Sequence, residues 1–269
     1  ILYKTKFLNF IMIIIIFLVM CLYLLIQNNK WTPRAIKPNT KETIILGHRG
    51  APCYERENTV LSFKKAIEFD VDGIEIDVQK SKDSHLILHH DEFLQDKVSK
   101  ISNNKLLKIQ TIQKNNKLNT INDLEPILEE IKILNIEIKA KKIFNNNIEK
   151  DVLKFIKKHK IEDKTIVSSF NPIVLFNLKR QNKNIKIGYL FTKEEVHWLI
   201  KTYFWANIIQ PDIFSVDINY ISKNIIKWCR KKKVPMYVFT VNTKKQFQYI
   251  KKIGVEGIFT DDPKKLKES

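Results

Sequence analysis

The 269-residue chain reads as an α/β domain, a parallel sheet with crossover helices whose strand count suits an eight-stranded barrel. Three observations carry that reading. From Thr43 onward, short β-branched runs alternate with amphipathic stretches, the pattern of parallel strands joined by helices. The length suits an α/β barrel, which takes about 250 residues. One pair of strand candidates lies too close in sequence to be parallel neighbours.

The strand candidates are 44–47, 73–79, 86–90, 135–139, 165–170, 186–190, 213–216, 235–241 and 257–260. Helix candidates are 59–69, 121–131, 148–159, 172–180, 193–202, 222–231 and 244–253. Nine strands are one too many for the barrel. Only residues 80–85 separate the second candidate from the third, whereas a parallel crossover needs about a dozen residues. The third therefore folds back as a hairpin, which leaves eight parallel strands. A turn centred between Lys82 and Asp83 would set His90 opposite Glu75. Residues 92–120, polar and lysine-rich, are expected as an insertion covering one side of the mouth.

Composition bounds the function. With 44% hydrophobic and 28% charged residues, wholesale disorder is excluded. Three cysteines without a Cys-x-x-Cys pair exclude a disulfide framework and a zinc or redox site of that kind. The net charge is +18, of which Lys4, Lys6 and Lys30 contribute three. A basic surface of this kind is a solvated face or an attractor of anionic substrates and lipids. No basic repeat interleaved with aromatics appears, so nucleic acid is not expected as a partner.

Residues 7–26 carry no charge and one amide, Asn9. About twenty apolar residues span a bilayer core, and the run ends without the small residues of a signal-peptide cleavage site. One N-terminal transmembrane helix within 1–30, a linker at 31–42 and a barrel domain at 43–269 are expected. The short basic leader favours a catalytic domain outside the cytoplasm, although Lys30, Arg34, Lys37 and Lys41 lie on the other side of the span.

The chemistry clusters at strand ends. Residues two apart on a strand share a face, so Glu75 and Asp77 stand together, as do Glu137 and Lys139. Buried carboxylates need a partner or a metal, and three of them make an oxygen-rich cage suited to Mg²⁺ or Ca²⁺. The competing reading is a structural ion pair, such as Glu137 with Lys139. The first strand ends Gly47-His48-Arg49-Gly50, and the hairpin strand closes at His90-Asp91. A histidine titrates near neutrality and moves protons either way, while an arginine presents a fork of donors to phosphate oxygens. His85, His89, His159 and His197 are assigned no role.

The ordered set His48-Arg49-Gly50, Glu57-Asn58-Thr59, Gly73 to Val78, Asp83, His90-Asp91, Asn135 to Lys139, Phe239 to Asn242 and Gly257 to Asp261 resembles the glycerophosphodiester phosphodiesterases. The resemblance implies a TIM-like (β/α)8 barrel with the hairpin insertion. It implies a divalent cation, Mg²⁺ or Ca²⁺, on Glu75, Asp77 and Glu137. It implies His48 and His90 as the acid/base pair, Arg49 and Lys139 near the phosphate, and Glu57 and Asn58 as support, with Asn58 also a candidate helix cap. The implied reaction releases sn-glycerol 3-phosphate and an alcohol from glycerophosphodiesters. Alternatives are a phospholipase-D-like cleavage of lysophospholipids on the same fold and an inactive membrane-bound binding module. The chain departs from the family pattern at Arg56 (usually Pro), Ser84 (usually Gly), Asp96 (often Arg) and Phe239 (commonly Trp).

Overall fold

The structure is a computed structural model that describes residues 2–28, 30–34, 42–114, 116–140, 147–192 and 204–267; the side chains of 2–10, 27 and 204 are not described. Eight parallel strands close a barrel: β1 (Ile44–Gly47), β2 (Gly73–Lys80), β4 (Leu134–Ile138), β5 (Thr165–Ser169), β6 (Lys186–Phe191), β7 (Ile213–Asp217), β8 (Met236–Phe239) and β9 (Gly257–Thr260). Closure comes from β1, which pairs with β9 on one side and with the start of β2 on the other. The hairpin strand β3 (Leu86–Leu88) lies antiparallel against the end of β2. This is the architecture the strand count implied.

Alternation along the strands sorts side chains between two compartments. Ile44 and Leu46 join Ile133, Ile166, Ile213, Tyr237 and Phe259 in one cluster. Ile45 faces the larger cluster, where strand residues pack against helix residues such as Phe63, Phe155, Leu175 and Phe247. The helices begin at side chains that satisfy their free N–H groups. Thr59 opens α2 (Val60–Glu68), Asn171 opens α5 (Pro172–Gln181), Ser222 opens α7 (Lys223–Lys232), and Thr243 with Gln246 forms a capping box on α8 (Lys244–Ile253). Between them stand α4 (Glu149–His159) and α6 (Phe204–Ile209), and α9 (Pro263–Lys267) ends the described chain. The expected helix 193–202 lies outside the described residues.

Four local expectations need correction. Thr59, and not Asn58, caps α2. The helix expected at 121–131 is a 3-10 segment, Ile121–Ile127, because Pro126 lacks the N–H an α-helix would use. β3 stops at Leu88, and its register places residue 91, not His90, opposite Glu75. The shift arises because the loop spans residues 82–84 and centres on Asp83: Ser81 N–H donates to His85 O, and Ser84 takes a left-handed φ of 67°. That conformation explains why glycine is usual at this position. The insertion, finally, is more than a polar cover. It folds a 3-10 turn (Ile101–Asn103) and α3 (Leu106–Gln113) over its own cluster of Ile87, Leu94, Ile101 and Ile109.

The N-terminal α1 runs Leu2–Asn28. Among the described residues no helix is long and apolar enough to cross a membrane. The expected single span over 7–26 is therefore not carried by the described residues. Past α1 the chain touches the barrel. Trp31 Nε1 donates to Pro211 O at 2.9 Å, and Arg34 pairs with the buried Asp212 at 3.2 Å. Asp212 immediately precedes β7, so this contact lies at the end of the barrel opposite the strand C-termini.

Candidate active site

The C-terminal ends of β1, β2, β4 and β9 build the site. β2 and β4 are neighbours, and Asp77 stands directly beside Glu137 in their ladder. Glu75, Asp77 and Glu137 are all buried, and one carboxylate oxygen from each lies within 4.8 Å of the others. Glu75 Oε1 and Asp77 Oδ1 are buried without a hydrogen-bond donor. Glu137 Oε1 is also without an aligned hydrogen bond, although Lys139 Nζ sits 2.7 Å away. Three buried, under-coordinated carboxylate oxygens are costly on their own and match the hard ligand set of a divalent cation. The expected Glu137–Lys139 ion pair is present as well, so the ion-pair reading and the metal reading share these residues.

The two cations lie against the acids. Arg49 approaches Glu57 at 2.9 Å and Asp77 at 3.2 Å, and Lys139 Nζ lies 3.6 Å from Asp77. Burial pushes the Asp77 carboxyl up, but Lys139 and Arg49, then His90 and His48, outweigh it and hold the group at about 2. Glu75 moves the other way. Burial first, then Asp77 and Glu137, raise it well above the usual carboxylate range. Burial alone would lower the Arg49 pKa, yet Asp77, Glu57 and Glu75 raise it and keep the guanidinium charged.

The first βα loop is held by this same cluster. Arg49 takes a left-handed φ of 55°, a conformation unfavourable for a side chain of its size. Its N–H donates to Glu75 Oε2 at 2.8 Å, and its carbonyl accepts from Asn58 N–H. Gly50 follows at φ 94°, packed so closely on Ser62 that a Cβ would collide. Asn58, buried and also left-handed, exchanges two hydrogen bonds with Asp77, at 2.8 and 2.9 Å. All nine residues singled out from the sequence are thus gathered around Asp77, Glu57 by way of Arg49.

Three residues given no role at the outset support the imidazoles. Asp261 Oδ1 lies 2.7 Å from His48 Nδ1, and Asn242 exchanges two hydrogen bonds with Asp261. Burial raises Asp261, but the His48 contact outweighs it and holds the carboxyl below its ordinary range. Gln79 Nε2 donates to the carbonyls of His89, His90 and Asp91, fixing the turn that carries His90. His90 Nδ1 in turn meets Asp91 Oδ1 at 2.8 Å. Signals for two of these were present. Gln79 continues the Glu75, Asp77 face by the period of two. Asp261 follows β9 as His48 follows β1, and barrel closure makes those strands adjacent.

Departures from the family pattern fall around the rim. Phe239, with Phe170 and Phe259, walls a small pocket that also touches His48, Glu75 and Glu137. Arg56 donates to Lys117 O at 2.5 Å, tying the first loop to the insertion. Asp96 accepts from the N–H groups of Val98 and Ser99 within a turn. None displaces an acid or imidazole.

Comparison with known proteins agrees with this geometry. Residues 48–265 match the glycerophosphoryl diester phosphodiesterase family. A glycerophosphodiester phosphodiesterase of Caldanaerobacter subterraneus subsp. tengcongensis is 32% identical, over 84% of this chain and 96% of that protein. The crystal structure of a glycerophosphodiester phosphodiesterase from Thermotoga maritima is 28% identical and superposes with a TM-score of 0.67, covering 83% of this chain and 96% of that one. A phosphodiesterase of Oleispira antarctica, solved with the product sn-glycerol-3-phosphate, shares the fold at a TM-score of 0.70 and 20% identity, covering 84% and 95%.

Proposed function

The chain belongs to the glycerophosphoryl diester phosphodiesterase family, and on that premise we propose how its site works. The enzyme hydrolyses glycerophosphodiesters to sn-glycerol 3-phosphate and an alcohol. Glu75, Asp77 and Glu137 hold a divalent cation, the observation behind this being their three buried, converging oxygens. A bound Mg²⁺ or Ca²⁺ supplies Lewis acidity, drawing charge from the phosphodiester oxygens. Arg49 and Lys139 add positive charge beside the same acids and orient the phosphate. Asp261 keeps the proton of His48 on Nδ1, which leaves Nε2 to exchange a proton with water or alcohol. His90, beside Asp91, is its counterpart, so one imidazole takes a proton as the other gives one. Glu57 and Asn58 keep Arg49 and Asp77 in place.

Purified enzyme is expected to release sn-glycerol 3-phosphate from soluble glycerophosphodiesters, and excess chelator is expected to abolish release until Mg²⁺ or Ca²⁺ is restored. His48→Ala or His90→Ala is expected to lower kcat by about 10²–10⁴. Full rate in either variant would refute the proton-transfer roles. A second reading, cleavage of lysophospholipids, is favoured by the exposed apolar side chains from Ile11 to Leu25 of α1. We propose that this surface attaches the enzyme to a membrane, and that the barrel then lies outside the cytoplasm.

A further inference from the structure

Helix α1 leaves the barrel at a fixed place. It ends at Asn28, and Trp31, three residues on, packs on Trp228 and donates to Pro211 O. Arg34 follows, bonded to Asp212 and to the carbonyls of Lys183 and Ile185. Three residues extend at most about 11 Å, so the end of α1 stays close to the starts of β6 and β7. Glu75, Asp77 and Glu137 lie toward the other end of the barrel.

The corner around Trp31 is basic. The last turns of two helices converge there, α5 with Lys179 and Arg180 and α7 with Arg230 to Lys232. Neither residues 179–186 nor residues 223–236 include an acid. Asp212, at the same corner, is buried and is answered by Arg34. Lys30, Lys183, Lys231 and Lys233 are exposed, and Lys232 lies over the Trp31 ring. Burial first, then Lys231 and Lys30, holds the Lys232 ammonium below its ordinary value. Cations gathered in this way repel one another unless an anionic surface lies against them.

α1 identifies that surface. Every residue from Ile11 to Met20 is apolar and exposed, on all sides of the helix. A helix that docks in a protein groove needs one apolar face, whereas a helix apolar all round is suited to lipid. Past α1 come Lys30 and Trp31, a cation and an aromatic of the kind that sits at headgroup level.

We propose that this basic corner rests on anionic phospholipid headgroups through Lys30, Lys183, Lys231 and Lys233, with the active-site mouth turned away from the bilayer. The inference rests on the reading that α1 attaches the enzyme to a membrane. Strands of five residues, such as β4 and β7, rise about 13–17 Å along the barrel axis once their tilt is allowed for. That exceeds a headgroup layer of roughly 5–8 Å, so the acids at the far end face water. Substrates then arrive from solution, and a lysophospholipid held in the same bilayer stays out of reach.

The test places a fluorophore on the full chain bound to vesicles that carry a headgroup quencher. One label sits on the native Cys53, which is exposed and whose N–H donates to Asp261 O at the mouth. The other sits on Asn184→Cys, in an exposed loop beside Arg34, with Cys53→Ser. Both chains carry Cys21→Ser, and Cys229 is buried. The label at position 184 is expected to be quenched more than the label on Cys53. Its quenching is expected to be stronger on vesicles containing phosphatidylglycerol than on phosphatidylcholine alone, an excess that Lys231→Gln with Lys233→Gln removes. The unlabelled chain on the same vesicles is expected to hydrolyse soluble glycerophosphoglycerol and to leave vesicle-held lysophosphatidylglycerol almost untouched. Equal quenching at the two positions, or stronger quenching at Cys53, would seat the mouth on lipid and overturn the proposal. Comparable turnover of the vesicle-held lipid would overturn it as well. A chain that binds neither vesicle would overturn attachment through α1 itself, and the proposal with it.

Discussion

Gln79 is the residue whose role is easiest to isolate. Its one amide nitrogen serves three consecutive carbonyls, and none of its bonds reaches the acid cluster. Gln79→Leu should free the turn bearing His90 while leaving the acids in place. A fall in kcat of about tenfold with little change in KM is expected, because misplacing a reacting group costs rate more than binding. Equal kcat in variant and native enzyme would remove Gln79 from the machinery. Single residues were legible in the sequence where chemistry was written in their type and spacing. Glu75 with Asp77, and Glu137 with Lys139, follow from a period of two. Asn242 was not legible, because its bonds to Asp261 depend on how the loop after β8 meets the end of β9, which spacing does not encode.

The elements behave similarly. β1, β9 and α8 occupy the residues expected of them: the two strands are short, wholly buried runs, and α8 is bounded by a capping box at Thr243 and by the left-handed Gly254. The hairpin turn was read half a residue off, and that alone changes which residue faces Glu75. The insertion was read as polar because its lysines outnumber its core. Yet Ile87, Leu94, Ile101 and Ile109 are each buried to within 2%. Ile109→Ala should cost about 2–5 kcal/mol locally, the cost of a buried cavity. Limited proteolysis should then cut within residues 92–120 before the barrel is attacked. Unchanged protease resistance would mean that this cluster does not hold the insertion together.

The whole molecule joins the barrel to α1 through Trp31 and Arg34, which meet the barrel at the end remote from the acids. If α1 attaches the enzyme to a membrane, the full chain should sediment with membranes and a chain lacking residues 1–28 should not. Protease added to intact cells should reach the barrel if it lies outside; protection would reverse the proposed orientation. By itself the sequence determined the alternation of strands and helices, the excess strand and the three acids, because periodicity and residue type are local properties. Only the tertiary structure decided that β9 closes against β1, bringing Asp261 to His48, and that the insertion folds over an apolar cluster of its own. Such contacts join residues far apart in the chain, and they exist only once the barrel has closed.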